Sequence, residues 1–224
     1  MTHNMNSSPN GFSIDALVDD LQPVSPISLN HGFAIIAIMT LAALAMVYAT
    51  IDFRGDVMAG APAPMFFLRL GMLLLLGTAT GIAALSMGRP AIATEKRQSG
   101  TIYWKWAVMA ALLFPVSAFV TLLVDTNLFM RDFHTVSSVK CLVTSVTASL
   151  FIGGAMTLWM RRGAPTNLPL TGMLIGLSAG SLGAAAYSFH CPFNAVAYNG
   201  VWFPMAVGIS TLIGWLVIPR LIRW

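Results

Sequence analysis

Two cysteines and two histidines are the side chains in this sequence whose chemistry suits a sensor or a metal site. The stretch His190-Cys191-Pro192-Phe193 joins the last two apolar runs, and Cys141 begins an earlier apolar run that follows His134. Thiolates and imidazoles bind zinc, copper and toxic heavy metals, and two thiols form a disulfide if their Cα atoms come within about 7 Å. These four residues are therefore candidate redox-sensing residues, and Cys141, Cys191 and His190 are candidate metal ligands.

A structural interpretation of the same residues stays open, because their spacing matches no metal motif. The sequence contains no CxxC and no HxxxH, and a cysteine in a membrane helix is commonly a small buried hydrophobe. Catalytic templates such as the P-loop and HExxH are missing, and Glu95 is the only glutamate. We therefore expect neither an enzyme nor a bound cofactor.

The composition indicates a membrane protein with several spans. Hydrophobic residues make up 57% of the chain and charged residues 9%, whereas soluble domains have roughly 25% charged residues. Six apolar runs have the length that a membrane-crossing helix needs, at about 32–51, 65–88, 102–124, 139–160, 168–189 and 199–219. The sequence predicts an all-α transmembrane domain over residues 31–224, with six spans in an up-and-down bundle.

Basic residues predict the orientation, since they favour the cytoplasmic side of a membrane. With a cytoplasmic N-terminus, the inside set is Arg89, Lys96, Arg97, Lys105, Arg161, Arg162, Arg220 and Arg223, and the outside set is Arg54, Arg69, Arg131 and Lys140. The tally favours both termini in the cytoplasm. Arg54 is evidence against this orientation, because it directly follows the first span on the predicted outer side. In this orientation the four candidate sensing residues lie toward the oxidising periplasm.

Arg69, early in the second run, and Asp125, at the end of the third, are ionisable residues at the edges of spans. Ionisable groups inside a membrane often mark ion or substrate paths. We interpret this pair instead as outward snorkelling or a surface ion pair, because both residues fall toward the outer interface.

The fifth run carries Gly172, Gly176, Gly180 and Ala184 at every fourth position. Small residues at this spacing lie on one helix face and let a neighbouring backbone approach closely. The pattern predicts a packing helix.

Residues 1–30 are predicted to be a cytoplasmic segment with a short amphipathic helix at 13–22. Ser13 is a suitable N-cap, apolar residues recur at helical spacing, and aspartates occupy the other face. Lipid-bound helices usually carry Lys and Arg, whereas this helix carries acids. The pattern therefore favours binding of the helix in an apolar groove on a basic protein partner. A helix that packs on its own bundle or frays is the alternative. The residues predicted to bind a partner are Ile14, Asp15, Leu17, Val18, Asp19, Asp20 and Leu21.

Several short motifs carry a family resemblance. They are Asp20-Leu21-Gln22-Pro23-Val24, Cys141-Leu142, Arg161-Arg162-Gly163-Ala164-Pro165-Thr166, the run from Gly172 to Tyr187, His190-Cys191-Pro192, Trp202 and the terminal Pro219-Arg220-Leu221-Ile222-Arg223-Trp224. Together they resemble the NrsF (negative regulator of sigma F) family of membrane anti-sigma factors. The most specific part is the His-Cys-Pro turn followed by a tryptophan and the closing Arg-x-x-Arg-Trp.

The resemblance implies an inner-membrane protein whose N-terminal segment holds an extracytoplasmic-function sigma factor inactive. It also implies that Cys141 and Cys191 take part in sensing an oxidative or heavy-metal signal. The family turn usually continues with Glu, whereas Phe193 stands here, which weakens direct metal coordination more than thiol oxidation. A sigma factor has basic surfaces that suit the acidic helix, and the protein itself is expected to contact lipid but not nucleic acid.

Two other functions remain as alternatives. An envelope redox or metal sensor would keep the cysteines without binding a sigma factor. A small transporter would need polar groups along a path through the spans, and the runs carry only scattered Ser and Thr.

Overall fold

The computed structural model describes residues 28–88, 96–124, 126–127, 130, 135–163 and 165–222. The helices are α1 (Leu29–Ile51), α2 (Gly55–Met58), α3 (Pro64–Met87), α4 (Lys96–Ala111), α5 (Leu113–Val124), α6 (Thr135–Met160), α7 (Leu168–Ser188) and α8 (Val196–Ile222). Every regular element in these ranges is helical, which confirms the all-α class. The acidic helix predicted at 13–22 lies outside the described residues.

Six segments are long and apolar enough to cross a membrane, as the sequence predicts. They are Leu29–Ile51, Pro64–Met87, Trp104–Val124, Val139–Met160, Leu168–Ser188 and Val196–Ile222. Each lies within a few residues of its predicted apolar run. The up-and-down topology and the cytoplasmic location of the termini stay predictions.

The third span is divided into α4 and α5 at Leu112. Pro115 has no backbone N–H, so it cannot bond to the carbonyl of Ala111 as a helix requires. Helical hydrogen bonds are present on both sides of the missing one. Leu112 N donates to Val108 O at 3.0 Å, and Val116 N donates to Leu112 O at 3.1 Å. The predicted single run is therefore two helices in the structure.

α7 is the central helix, and its small residues are in close contact with neighbouring helices. A Cβ atom added to Gly176 would lie 2.5 Å from Ser210 O of α8, and one added to Gly183 would lie 2.7 Å from Ser149 N of α6. Ser178 donates its hydroxyl to Gly77 O of α3 at 2.8 Å. The small-residue pattern of the fifth run thus provides helix packing.

The string Gly176-Leu177-Ser178-Ala179-Gly180 matches the GxSxG pattern of serine hydrolases, but it has a structural role here. That motif requires a strained strand-to-helix turn with an exposed serine. Ser178 instead lies within α7 and is fully buried.

We predict that Gly176→Ala destabilises the bundle and that Gly154→Ala does not. The new Cβ at position 176 would press on backbone atoms of α8 that cannot rotate away, whereas a Cβ at Gly154 of α6 meets nothing within 4 Å. Overpacking costs about 1–3 kcal/mol, and Gly→Ala in an open helical position gains up to about 1 kcal/mol. Unfolding midpoints of the two purified variants in detergent would test this. Equal midpoints would contradict the close contact between α7 and α8.

Candidate functional site

The Cys191 turn, residues 189–195, joins α7 to α8 and forms the centre of the candidate site. α7 ends at Ser188, and the N–H groups of His190 and Cys191 both donate back to Tyr187 O, at 2.9 and 3.2 Å. The last carbonyls of a helix have no partner within the helix, and beside a membrane an unpaired carbonyl is costly. The turn therefore needs donors from elsewhere in the chain.

Arg69 of α3 supplies most of these donors. Its Nη2 donates to Ser188 O at 2.9 Å and to Cys191 O at 3.4 Å, and its Nη1 donates to Phe193 O at 3.1 Å. Nη1 also donates to Asn199 Oδ1 of α8 at 2.8 Å. One guanidinium thus connects α3, the end of α7, the Cys191 turn and the start of α8.

The interpretation of Arg69 as a residue that snorkels to the surface is wrong. Its side chain is 1% exposed, and its guanidinium carbon lies 4.7 Å from the centre of the Phe203 ring. Carbonyl oxygens and an aromatic face stabilise the cation inside the bundle, which removes the reason to extend toward the interface. Asp125, the expected partner, lies outside the described residues.

Arg54, between α1 and α2, holds the Cys191 turn from the other side. Its Nη1 donates to Cys191 O at 2.8 Å and to Asn194 Oδ1 at 3.2 Å, and its Nη2 donates to Asp56 Oδ2 at 2.6 Å. The hydrogen bonds from Arg54 hold the pKa of Asp56 below its ordinary value. The carbonyl of Cys191 thus accepts hydrogen bonds from two arginines.

The turn is also attached to the end of α1. Arg54 N donates to Phe189 O at 3.0 Å, and His190 Nδ1 lies 2.9 Å from Asp52 O. Asp52 has a φ of 58°, a left-handed conformation that is unfavourable for a residue other than glycine. A strained joint at the end of α1 is therefore held by contacts with the turn.

Cys141 of α6 and Cys191 are brought into one buried cluster, although 49 other residues separate them in the sequence. Both are free thiols with no exposed surface, and the same apolar cluster includes Tyr187 and Phe203. Tyr198 is fully buried in the same cluster and interacts with both thiols. We call Cys141, Cys191 and Tyr198 the thiol cluster.

Burial raises the pKa of the Cys191 thiol, and the nearby Arg69 cation with hydrogen bonds from Phe193 and Tyr198 offsets only part of this rise. The thiolate is the form that reacts with oxidants and binds metals. In this conformation Cys191 is therefore a protonated, shielded thiol. Reaction with a signal would require the cluster to open.

His190 and His134 do not join the thiol cluster in the described part of the chain. The His190 ring contacts Asp52 O and the Tyr187 ring, whose centre is 5.6 Å away, and His134 lies outside the described residues. No group of three or more His, Cys, Asp or Glu side chains within the described ranges is placed to hold a metal ion.

Sequence reasoning missed four residues that build this site: Arg54, Arg69, Tyr198 and Asn199. Arg54 entered only the charge tally, and Arg69 was given a place at the membrane interface and no role in the site. An arginine well inside an apolar run was the available signal, since such a residue is costly unless the fold supplies its partners. The partners of Arg69 are more than 100 positions away, so no local pattern connects them.

Comparison with known proteins identifies the family. The family model described as "Negative regulator of sigma F" (NrsF) matches residues 17–224. The "Anti-sigma-F factor NrsF" of Caulobacter vibrioides is 28% identical over 222 residues, covering 94% of this chain and 97% of the relative. The "Probable anti-sigma-F factor NrsF" of Azospira oryzae is 26% identical over 182 residues, covering 80% and 82%. No solved structure matches. The chain therefore belongs to the NrsF family of anti-sigma factors.

Proposed function

We propose that this protein is an inner-membrane anti-sigma factor that holds an extracytoplasmic-function sigma factor through its cytoplasmic N-terminal segment. The sigma factor is released when an oxidative or heavy-metal signal in the periplasm changes the thiols of Cys141 and Cys191. The observation that carries the sensing part is that these two thiols share one buried cluster with the arginine-held turn between α7 and α8.

The N-terminal segment supplies the binding surface for the sigma factor. Its helix combines an apolar stripe of Ile14, Leu17, Val18 and Leu21 with the acids Asp15, Asp19 and Asp20. Such a helix fits an apolar groove with a basic rim, and sigma factors need basic surfaces to bind DNA. The match to the family model begins at Leu17, inside this helix.

Two arginines in the outside set of the charge tally have a structural reason to be at this end of the bundle. Arg54 and Arg69 are 8% and 1% exposed, and both donate to the Cys191 turn. They need not be read as orientation signals. Arg131 and Lys140 then stand against eight basic residues on the other side, which supports a cytoplasmic N-terminus.

The route from the thiols to the N-terminal segment runs along α1. What supports it is the attachment of the Cys191 turn to the far end of this helix through Asp52, Arg54 and His190. α1 has 23 residues and is about 35 Å long at 1.5 Å per residue. Its other end, at Leu29, follows the segment that binds the sigma factor. Oxidation or metallation of a buried thiol enlarges it, so the turn must move and its hold on α1 weakens.

For sigma binding, we expect the double variant Leu17→Asp, Leu21→Asp to lose the sigma factor. Two apolar anchors become charged, and each anchor at the centre of an interface contributes about 2 kcal/mol or more. The affinity should therefore fall about 1,000-fold or more. Co-purification of the partner sigma factor with the full-length protein is the measurement.

The matched control is Ser7→Asp, Asn10→Asp, which adds the same charge upstream of the helix and should retain binding. If the helix variant binds as well as the unchanged protein, the acidic helix is not the binding surface. If the unchanged protein does not bind, the anti-sigma assignment itself fails.

For orientation, we expect Lys140→Cys, and not Arg161→Cys, to react with a membrane-impermeant maleimide in intact cells. Each reporter is placed in a Cys141→Ser, Cys191→Ser background, so that it is the one cysteine in the protein. Lys140 and Arg161 are both exposed, so a cysteine at either position is accessible to the reagent on its own side of the membrane. Lys140 is near the start of α6 and Arg161 directly follows its end. The reverse labelling pattern would place the N-terminus in the periplasm and remove the proposed sigma contact.

For sensing, we expect Cys141→Ser and Cys191→Ser each to bind the sigma factor but to leave a sigma-dependent reporter uninduced by a thiol oxidant or cadmium. The physical reason is that serine keeps the shape of the cluster and lacks the reactive sulfur. Thr80→Ala, at a fully buried position of α3 whose hydroxyl donates to its own helix, is the control and should remain inducible. Full induction in both cysteine variants would refute thiol sensing while leaving sigma binding intact.

A further inference from the structure

A cavity of about 450 Å³ lies between α3, α4, α5, α7 and α8, a volume typical of small-molecule sites. Arg69, Asn199 and Trp215 all line the cavity. Asn199 and Trp215 are 16 positions apart on α8, about 24 Å along a helix. Thr211, the other polar lining residue, donates its hydroxyl to Val207 O at 2.7 Å. The cavity is therefore long and mostly apolar, with its one charged lining residue, Arg69, at one end.

The cation at this end has an unused donor. Arg69 is 1% exposed, and its Nε has no hydrogen-bond partner among the described residues. Its four other hydrogen bonds go to neutral oxygens, and the one ion pair found within the described ranges joins Arg54 to Asp56. A buried charge without a counter-ion is costly. Nε has almost no accessible surface, so side chains around it must shift before an anionic oxygen in the cavity can reach it. Such an oxygen would complete both the charge and the hydrogen bonding of Arg69.

The cavity communicates with the lipid-facing surface. Leu112, Leu212 and Trp215 line it and are each about half exposed, so a molecule dissolved in the bilayer can enter from the side. Pro204 and Gly208 of α8 also line it. A Cβ added at Gly208 meets nothing within 4 Å, so the missing side chain leaves space that no neighbour fills.

We propose that this cavity binds a free long-chain fatty acid, with its carboxylate on Arg69 and its acyl chain along α8 toward Trp215. A carboxylate forms a charge-assisted hydrogen bond with a guanidinium N–H. The apolar length suits an acyl chain, and entry from the bilayer suits a molecule that partitions into it. The site does not depend on sigma binding or on the thiols.

Tryptophan quenching by a brominated fatty acid tests this proposal, because Trp215 lines the cavity. Dibromostearic acid is titrated into the full-length protein in phosphatidylcholine nanodiscs, at a mildly alkaline pH that ionises the carboxyl. Its methyl ester, which has no charge, is titrated in parallel. We expect saturable quenching by the acid that Trp215→Phe removes, and an ester affinity at least about tenfold weaker, or about 1.4 kcal/mol.

Gly208→Leu provides the decisive variant, since its side chain fills the cavity without a clash at Cβ. This variant should bind the brominated acid with an affinity at least about tenfold weaker, measured by the same saturable quenching. Gly71→Leu is the matched control, because Gly71 of α3 is exposed and its added Cβ also meets nothing within 4 Å. Arg69→Gln, where its unfolding midpoint shows that it folds, should bind acid and ester alike.

Three results would overturn the proposal. Quenching that rises linearly with the acid would show partition into the bilayer alone. Equal saturable binding of acid and ester would remove the role of Arg69. Saturable quenching by brominated phosphatidylcholine that Gly208→Leu relieves equally would identify bulk phospholipid chains as the occupant.

Discussion

The buried guanidinium of Arg69 is the interaction on which the functional end of this protein depends. α7 stops at Ser188, and the chain must turn beside the membrane with several carbonyl groups unsatisfied. Arg69 donates to three of these carbonyls and to Asn199 at the start of α8. Burying the cation is expensive, and leaving the carbonyls unpaired is also expensive. The two costs offset each other in one arrangement, which fixes the position of the Cys191 turn.

The small residues of α7 explain why this arrangement is rigid. Close contacts at Gly176 and Gly183 bring the backbones of α8 and α6 against α7, and van der Waals packing of this kind drives helix association in a membrane. Closely packed helices have few alternative arrangements. A local change in the turn therefore either leaves the helices in place or shifts a whole helix. The turn at the end of α7 therefore has firm support on one side and the strained joint at Asp52 on the other.

Burial of both thiols gives the sensing proposal a physical form. A protonated thiol in a closed cluster reacts slowly with oxidants, so in this proposal the rate of opening sets the response. Cys141 belongs to α6 and Cys191 to the turn. A chemical change at one sulfur therefore disturbs its own element and, through the shared cluster, the other. Arg69 lies between these thiols and the apolar cavity, with hydrogen bonds on the turn and an unused Nε donor. A ligand bound in the cavity as proposed and the Cys191 turn would consequently share one side chain.

The sequence by itself determined the all-α class, the six spans, the packing face of α7 and the family resemblance. These follow from local properties, since hydropathy over about 20 residues reports a span and a repeat of four reports a helix face. The up-and-down topology, the cytoplasmic termini and the function of residues 13–22 remain predictions.

Only the tertiary structure decided what surrounds the chemical residues. It brought Cys141 and Cys191 into one buried cluster and placed His190 against Asp52. It also buried Arg69, which local reasoning had put at the surface. The partners of Arg69 lie 119 to 130 positions along the chain. An arginine in an apolar run is unfavourable until the fold brings oxygen atoms to it, and those oxygens are mostly backbone carbonyls whose identity no side-chain pattern records.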